Sequence, residues 1–222
     1  MRYVYLVLLA IVSVIHLVRR YNDDTVKGAR TKGFLLPLIL LYYLASVESY
    51  SWLLVLALIT SWLGDVLLIP KGNKWFAAGG ISFLISHVLF IFCYADITLR
   101  LKNVLWYIVV PVAAVYFTVA ALVIKSIIAG IPKIMKIPMF GYLIGNSLMN
   151  IFALMQLISN PCAGSAVAYI GAVLFFASDC SLFLVKYHKN RDLIFKRHFT
   201  VMLTYILGEL LITQGIIMLT NI

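Results

Sequence analysis

The sequence predicts an all-α membrane helix bundle of eight transmembrane spans, and three observations predict it. Hydrophobic residues fill 64% of the 222 positions and charged residues 12%, more apolar surface than a soluble domain of this length can bury. Apolar runs long enough to cross a bilayer recur along the whole chain. The remaining positive charges are sorted into alternate connections, as in a chain threaded repeatedly through a membrane.

The first span is expected over 3–18. Its basic cluster follows the apolar core and no small-residue cleavage site is present, so it does not read as a cleavable signal peptide. Arg19, Arg20, Lys27, Arg30 and Lys32 fill the connection to a second span over 33–47. The third span, 51–69, ends at Pro70, and Lys71 and Lys74 lead into the fourth, 75–95. The fifth, 104–124, is followed by Lys125, Lys133 and Lys136 before the sixth, 137–158. Lys186, Lys189, Arg191, Lys196 and Arg197 lie in or beside the connection between the seventh span, 165–185, and the eighth, 197–219. Those clusters hold 15 of the 18 lysines and arginines; Arg2, Arg100 and Lys102 are the rest. Positive residues stay cytoplasmic, so the odd connections are expected to face the cytoplasm and both termini the extracytoplasmic side.

The net charge of +10 is thus a topology signal and not a nucleic-acid footprint. No soluble domain interrupts the pattern, and residues 1–222 read as one transmembrane domain. The short loops point to a multi-pass protein of the bacterial inner membrane. Trp52, Trp75 and Trp106 fall near span ends, where the interfacial belt accounts for them. Pro37, Pro111 and Pro138 sit near span beginnings, where proline is tolerated. Cys93, Cys162 and Cys180 have neither metal-ligand nor redox spacing.

Four ionisable groups lie inside the spans: Asp65, His87, Asp179 and Glu209. A charge at mid-span costs about 2.5–3.5 kcal/mol on the insertion scale, so such groups turn toward the bundle interior or a wet cavity. None shares its helix face with a lysine or arginine inside the span. Asp65 and Asp179 match in setting: each follows a small residue, Gly64 or Ser178, and precedes an apolar stretch and a basic turn. The match relates the third span to the seventh, as in two four-helix halves of like orientation. Both aspartates would meet at one level if those two helices are neighbours. Asn146, Asn150 and Gln156 add neutral polarity to the sixth span. Tyr205 and Glu209 share a face of the eighth, and His198 and Met202 extend that stripe. Each of these also has an ordinary explanation as an interhelical hydrogen bond.

Two acids close together in a low dielectric do not both ionise easily, which yields a general acid beside a general base. That arrangement serves reactions in which an oxocarbenium-like state forms and is quenched by water. In a membrane the matching substrates are ether or acetal-like lipids. The same acids would also serve proton-coupled transport, and a non-catalytic lipid-binding role is a third reading. No metal or other cofactor is called for, because the ionisable groups are spread over four helices without a His-x-x-x-His pair.

The segments "GDVLL" (64–68), "GGISFLISHVLF" (79–90), "GAVLFFASDCSL" (171–182) and "YILGELLITQG" (205–215) occur in one order and spacing. In this the chain resembles the YhhN-type lysoplasmalogenases from about Leu35 to Gly215. The resemblance implies eight spans and cleavage of the vinyl-ether bond of lysoplasmalogens, giving a fatty aldehyde and a glycerophospho-base. It implies that Asp65 and Asp179 are the acid and base and that His87 and Tyr205 occupy the family's histidine and tyrosine positions; His87, Asn146, Tyr205 and Glu209 are the candidates to orient water or substrate. The chain departs from the family pattern in having Glu209 where a glutamine is usual. The expected partners are a lysophospholipid and the bilayer. Lys71, Lys74, Lys186, Lys189 and Lys196 lie close to the aspartates at the basic end and are candidates to meet the lipid phosphate, although the threading rule already accounts for them.

Overall fold

The computed structural model describes residues 2–22, 25–97, 103–190 and 192–220. Eight helices account for almost all of them, with no strand among the described residues: α1 (Arg2–Tyr21), α2 (Thr25–Leu44), α3 (Trp52–Leu67), α4 (Asn73–Ile97), α5 (Trp106–Ile127), α6 (Lys133–Ser159), α7 (Ala163–Tyr187) and α8 (His198–Thr220). Arg100, Lys102 and Arg191 lie outside the described residues, as do the side chains of Lys27 and Arg30.

α1 and α4 to α8 are long and apolar enough to cross a bilayer. The other two helices depart from the expected spans. α3 covers 16 residues, about 24 Å at 1.5 Å per residue, against a hydrocarbon core of about 30 Å. It stops at Leu67, where the Leu68 amide closes onto the Gly64 carbonyl, ahead of Pro70. α2 begins at Thr25, eight residues before the expected start, and carries an apolar stretch over Thr31–Leu44. The turn after Leu44 is fixed by the Ser46 hydroxyl, which donates to the Tyr42 carbonyl, and by the Ser51 amide, which donates to the Tyr43 hydroxyl. The early start matters most: it places Lys32, expected in a solvated connection, on a helix and in the protein interior.

Packing closes six of the helices into a ring in the order α2, α3, α4, α6, α7, α8 and back to α2. α1 packs outside against α2 and α8, and α5 outside against α6 and α7. α3 and α7 are therefore not neighbours, as the matched aspartates would have required. They stand across the ring from one another, with α4 and α6 between them on one side and α2 and α8 on the other.

The closest pair is α7 with α8, held together where small residues let backbones touch. A Cβ on Gly215 would lie 2.4 Å from the Ala168 amide nitrogen, and one on Gly171 2.5 Å from that of Ile212. Neither backbone can retreat without separating the helices. Gly215→Leu is expected to destabilise by more than the about 1–3 kcal/mol typical of overpacking, because the obstacle is main chain. The check is the thermal midpoint in detergent against Gly33→Ala, whose added methyl meets nothing within 4 Å. Equal midpoints would show that α7 and α8 do not pack this way.

Candidate active site

The site is assembled at the basic end of the ring. A cavity of about 620 Å³ opens there, and both Asp65 of α3 and Asp179 of α7 line it. The two carboxylates lie at different distances from their helix ends. Asp65 stands two residues before Leu67, whereas Asp179 stands eight before Tyr187, about 12 Å by helical rise. It is the ring that brings them to one space, not a shared count from the membrane surface.

Their partners differ. Asp65 Oδ1 is 2.9 Å from the Lys32 ammonium of α2, and its Oδ2 accepts a hydrogen bond of 3.0 Å from the Tyr205 hydroxyl of α8. Both of its oxygens are engaged and one partner is a cation, itself buried. Asp179 instead collects two donors on Oδ2, the Tyr142 hydroxyl at 2.7 Å and the Asn146 amide at 2.6 Å, both from α6. No lysine or arginine of the described side chains stands within ion-pair distance of it. His87 Nε2 of α4 lies 3.6 Å from the same Oδ2, beyond hydrogen-bond length. Asn150 sets the Asn146 amide by donating to its Oδ1 and to its backbone carbonyl, each at 3.0 Å. Asp65 of α3 is thus held by α2 and α8, and Asp179 of α7 is held by α6 and approached by α4.

Aromatic rings form the wall. Phe83 lines the cavity and stands edge-on to Tyr205, with centroids 5.9 Å apart, and to Phe175 at 6.3 Å. His87 is packed between Tyr142 and Phe175, each at 5.1 Å. A side chain on Gly64 would strike the Phe83 ring at 2.5 Å, which is the packing reason for a glycine immediately before Asp65.

The expected site residues separate into two shells of the cavity. Asp65, Asp179 and Tyr205 reach it, together with Lys71 and Lys186. Lys74, Lys189 and Lys196 do not; Lys196 lies over the Tyr21 ring at 4.2 Å. His87 and Asn146 are wholly buried behind Asp179. Glu209 is also wholly buried and off the cavity, and neither of its oxygens has a hydrogen-bond partner. Ser61, a polar neighbour of Glu209, shares its hydroxyl with Ser86 at 2.7 Å instead. Among the described residues, no three histidine, cysteine or acidic side chains converge as a metal-ion cage would require.

Sequence reasoning missed Lys32 and Tyr142 at the carboxylates, and Arg20 on the cavity rim. Tyr142 had a signal, since Tyr142, Asn146 and Asn150 recur at intervals of four along one face of α6. Lys32 had none while its segment was read as a loop.

The profile of the YhhN family matches residues 29–216, a stretch that contains both aspartates and every partner just described. The chain belongs to the YhhN family. No curated protein and no solved structure matches it. In this YhhN-family chain the matched region begins in the first turns of α2, just before Lys32, so the buried cation lies within the family domain.

Proposed function

We propose that this chain is a membrane hydrolase that opens the vinyl-ether bond of lysoplasmalogens, with Asp179 as general acid and Asp65 as general base. The observation that carries the reading is the unequal pairing of two carboxylates on one cavity. Asp65 has a cation beside it and both oxygens engaged as acceptors. Asp179 has neutral donors on one oxygen only, leaving the other to carry a proton. Membership of the YhhN family supports the substrate class.

The reaction begins with transfer of the Asp179 proton to the vinyl carbon remote from oxygen. The double bond is consumed and an oxocarbenium ion forms at the adjacent carbon. Water adds to that carbon and its proton passes to Asp65, giving a hemiacetal. The carbon–oxygen bond to glycerol then breaks; the departing oxygen takes the proton from Asp65, and the hemiacetal hydroxyl returns one to Asp179. Both acids are restored, and the products are a fatty aldehyde and a glycerophospho-base. Tyr205 fixes Asp65, while Tyr142 and Asn146 fix Asp179. The Phe83 and Tyr205 rings line the same cavity and are aromatic groups at hand to a cationic intermediate there.

Arg20, Lys71 and Lys186 on the cavity rim are the groups we assign to the lipid phosphate. Lys71→Ala with Lys186→Ala is expected to raise KM about tenfold, worth about 1.4 kcal/mol, with kcat little changed. An unchanged KM would remove the phosphate role. Within this reading all eight helices cross the bilayer as two four-helix halves with both termini extracytoplasmic, and the cavity opens to the cytoplasmic side.

The deciding experiment is to incubate the purified protein with a lysoplasmalogen and with its saturated 1-alkyl analogue, and to assay free aldehyde. Aldehyde from the vinyl ether alone supports the hydrolase. No aldehyde from folded protein removes it and favours proton-coupled transport through the same carboxylates.

A further inference from the structure

A second cavity, of about 310 Å³, lies beside the first. Its walls come from the basic-end halves of α4 and α6 and from the ends of α3 and α7. Leu68, Phe76, Phe83 and Leu182 line both cavities, so the two spaces share a wall. The first is rimmed by cations and holds the carboxylates; the second is lined by apolar side chains and glycines, with the Tyr142 ring at its inner end. It opens sideways: Ile81 on the α4 edge is 55% exposed and Ile137 on the α6 edge 83% exposed, as expected of residues facing lipid.

We propose that this groove between α4 and α6 receives the hydrocarbon chain of a single-chain glycerophospholipid whose phosphate is held at the basic rim. Three observations select this occupant over a protein segment or a second copy. The groove adjoins, across side chains common to both, a cavity rimmed by cations, which selects a ligand with an anionic head and an apolar tail. Its volume, about 310 Å³, suits one chain better than two. Tyr142, which donates to Asp179, lines it, so the chain side of the scissile ether is the Asp179 side. That is the side on which the vinyl carbon must be protonated, and the inference rests to that extent on the proposed reaction.

Gly80 of α4 and Gly141 of α6 both line this groove, and a Cβ on either meets nothing within 4 Å. Either position accepts the first carbon of a side chain, and a leucine there is expected to reach into the groove. They are therefore specificity-determining positions, keeping the gap open to a chain arriving from the bilayer.

The test uses the full-length protein in nanodiscs and a 1-O-alkyl glycerophosphocholine carrying a diazirine in mid-chain, which has no vinyl ether to cleave. Photolabelling is expected to concentrate on residues 77–84 and 135–141, and to be competed by unlabelled 1-alkyl lipid. Gly80→Leu and Gly141→Leu, each with an unchanged thermal midpoint, are expected to cut that labelling about tenfold. The corresponding diazirine-bearing alkyl glycerol, which lacks the phosphate, is expected to label the lipid-facing surface without preference. Labelling that is spread over the outer faces of α1 and α5, or that persists in both variants, overturns the proposal. Groove labelling without aldehyde release in the vinyl-ether assay leaves the chain subsite standing and removes the hydrolase.

Discussion

Asp179→Asn is expected to lower aldehyde release by about 10²–10⁴-fold while the protein stays folded and still binds lipid. The asparagine oxygen accepts the Tyr142 and Asn146 hydrogen bonds that Oδ2 accepts now, so the α6–α7 contact survives. What is lost is the proton, because an amide does not protonate a vinyl carbon. Asp65→Asn is expected to lose turnover to a similar degree for a different reason and with an added penalty: it leaves the buried Lys32 ammonium without its counterion. The pair of variants therefore separates by stability. Aldehyde release and the thermal midpoint, measured on both, should show activity lost in each and stability lost only in Asp65→Asn. Full activity in Asp179→Asn would refute its role as the acid.

Lys32→Met should be the most destabilising change at the site, at about 3–5 kcal/mol, because it removes one partner of a buried ion pair and leaves a carboxylate uncompensated. The double variant Lys32→Met with Asp65→Asn should recover most of that loss, since neither charge then remains. Activity should not recover, because the base is gone. A double-mutant cycle on the denaturation midpoint measures the coupling directly. Additive single effects would mean that the 2.9 Å pair contributes nothing to stability, and the argument for Asp65 as the ionised partner would fail with it.

The two aspartates were legible in the sequence because a carboxylate inside an apolar run is expensive and demands a reason. Their partners were legible only in part. Tyr205 and Asn146 stood out as polar groups on spans, and both do contact a carboxylate. Lys32 was hidden by a sound rule applied one step too far: basic residues between spans are explained by topology, so its cluster needed no other account. Only the early start of α2 shows it to be inside. Lys74, Lys189 and Lys196 show the converse, being basic, at the correct end, and off the cavity.

By itself the sequence determined that the chain is helical and rich in membrane-length apolar segments, and that carboxylates are buried within it; the YhhN family followed from its motifs. Tertiary structure alone decided that α3 and α7 face each other across a ring, and that Lys32 distinguishes one aspartate from the other. The physical reason is that lipid and protein interior are both apolar. Ile137, 83% exposed, and Leu36, 1% exposed, look alike in an apolar run, so hydrophobic periodicity does not say which face of a span turns inward or which helices become neighbours.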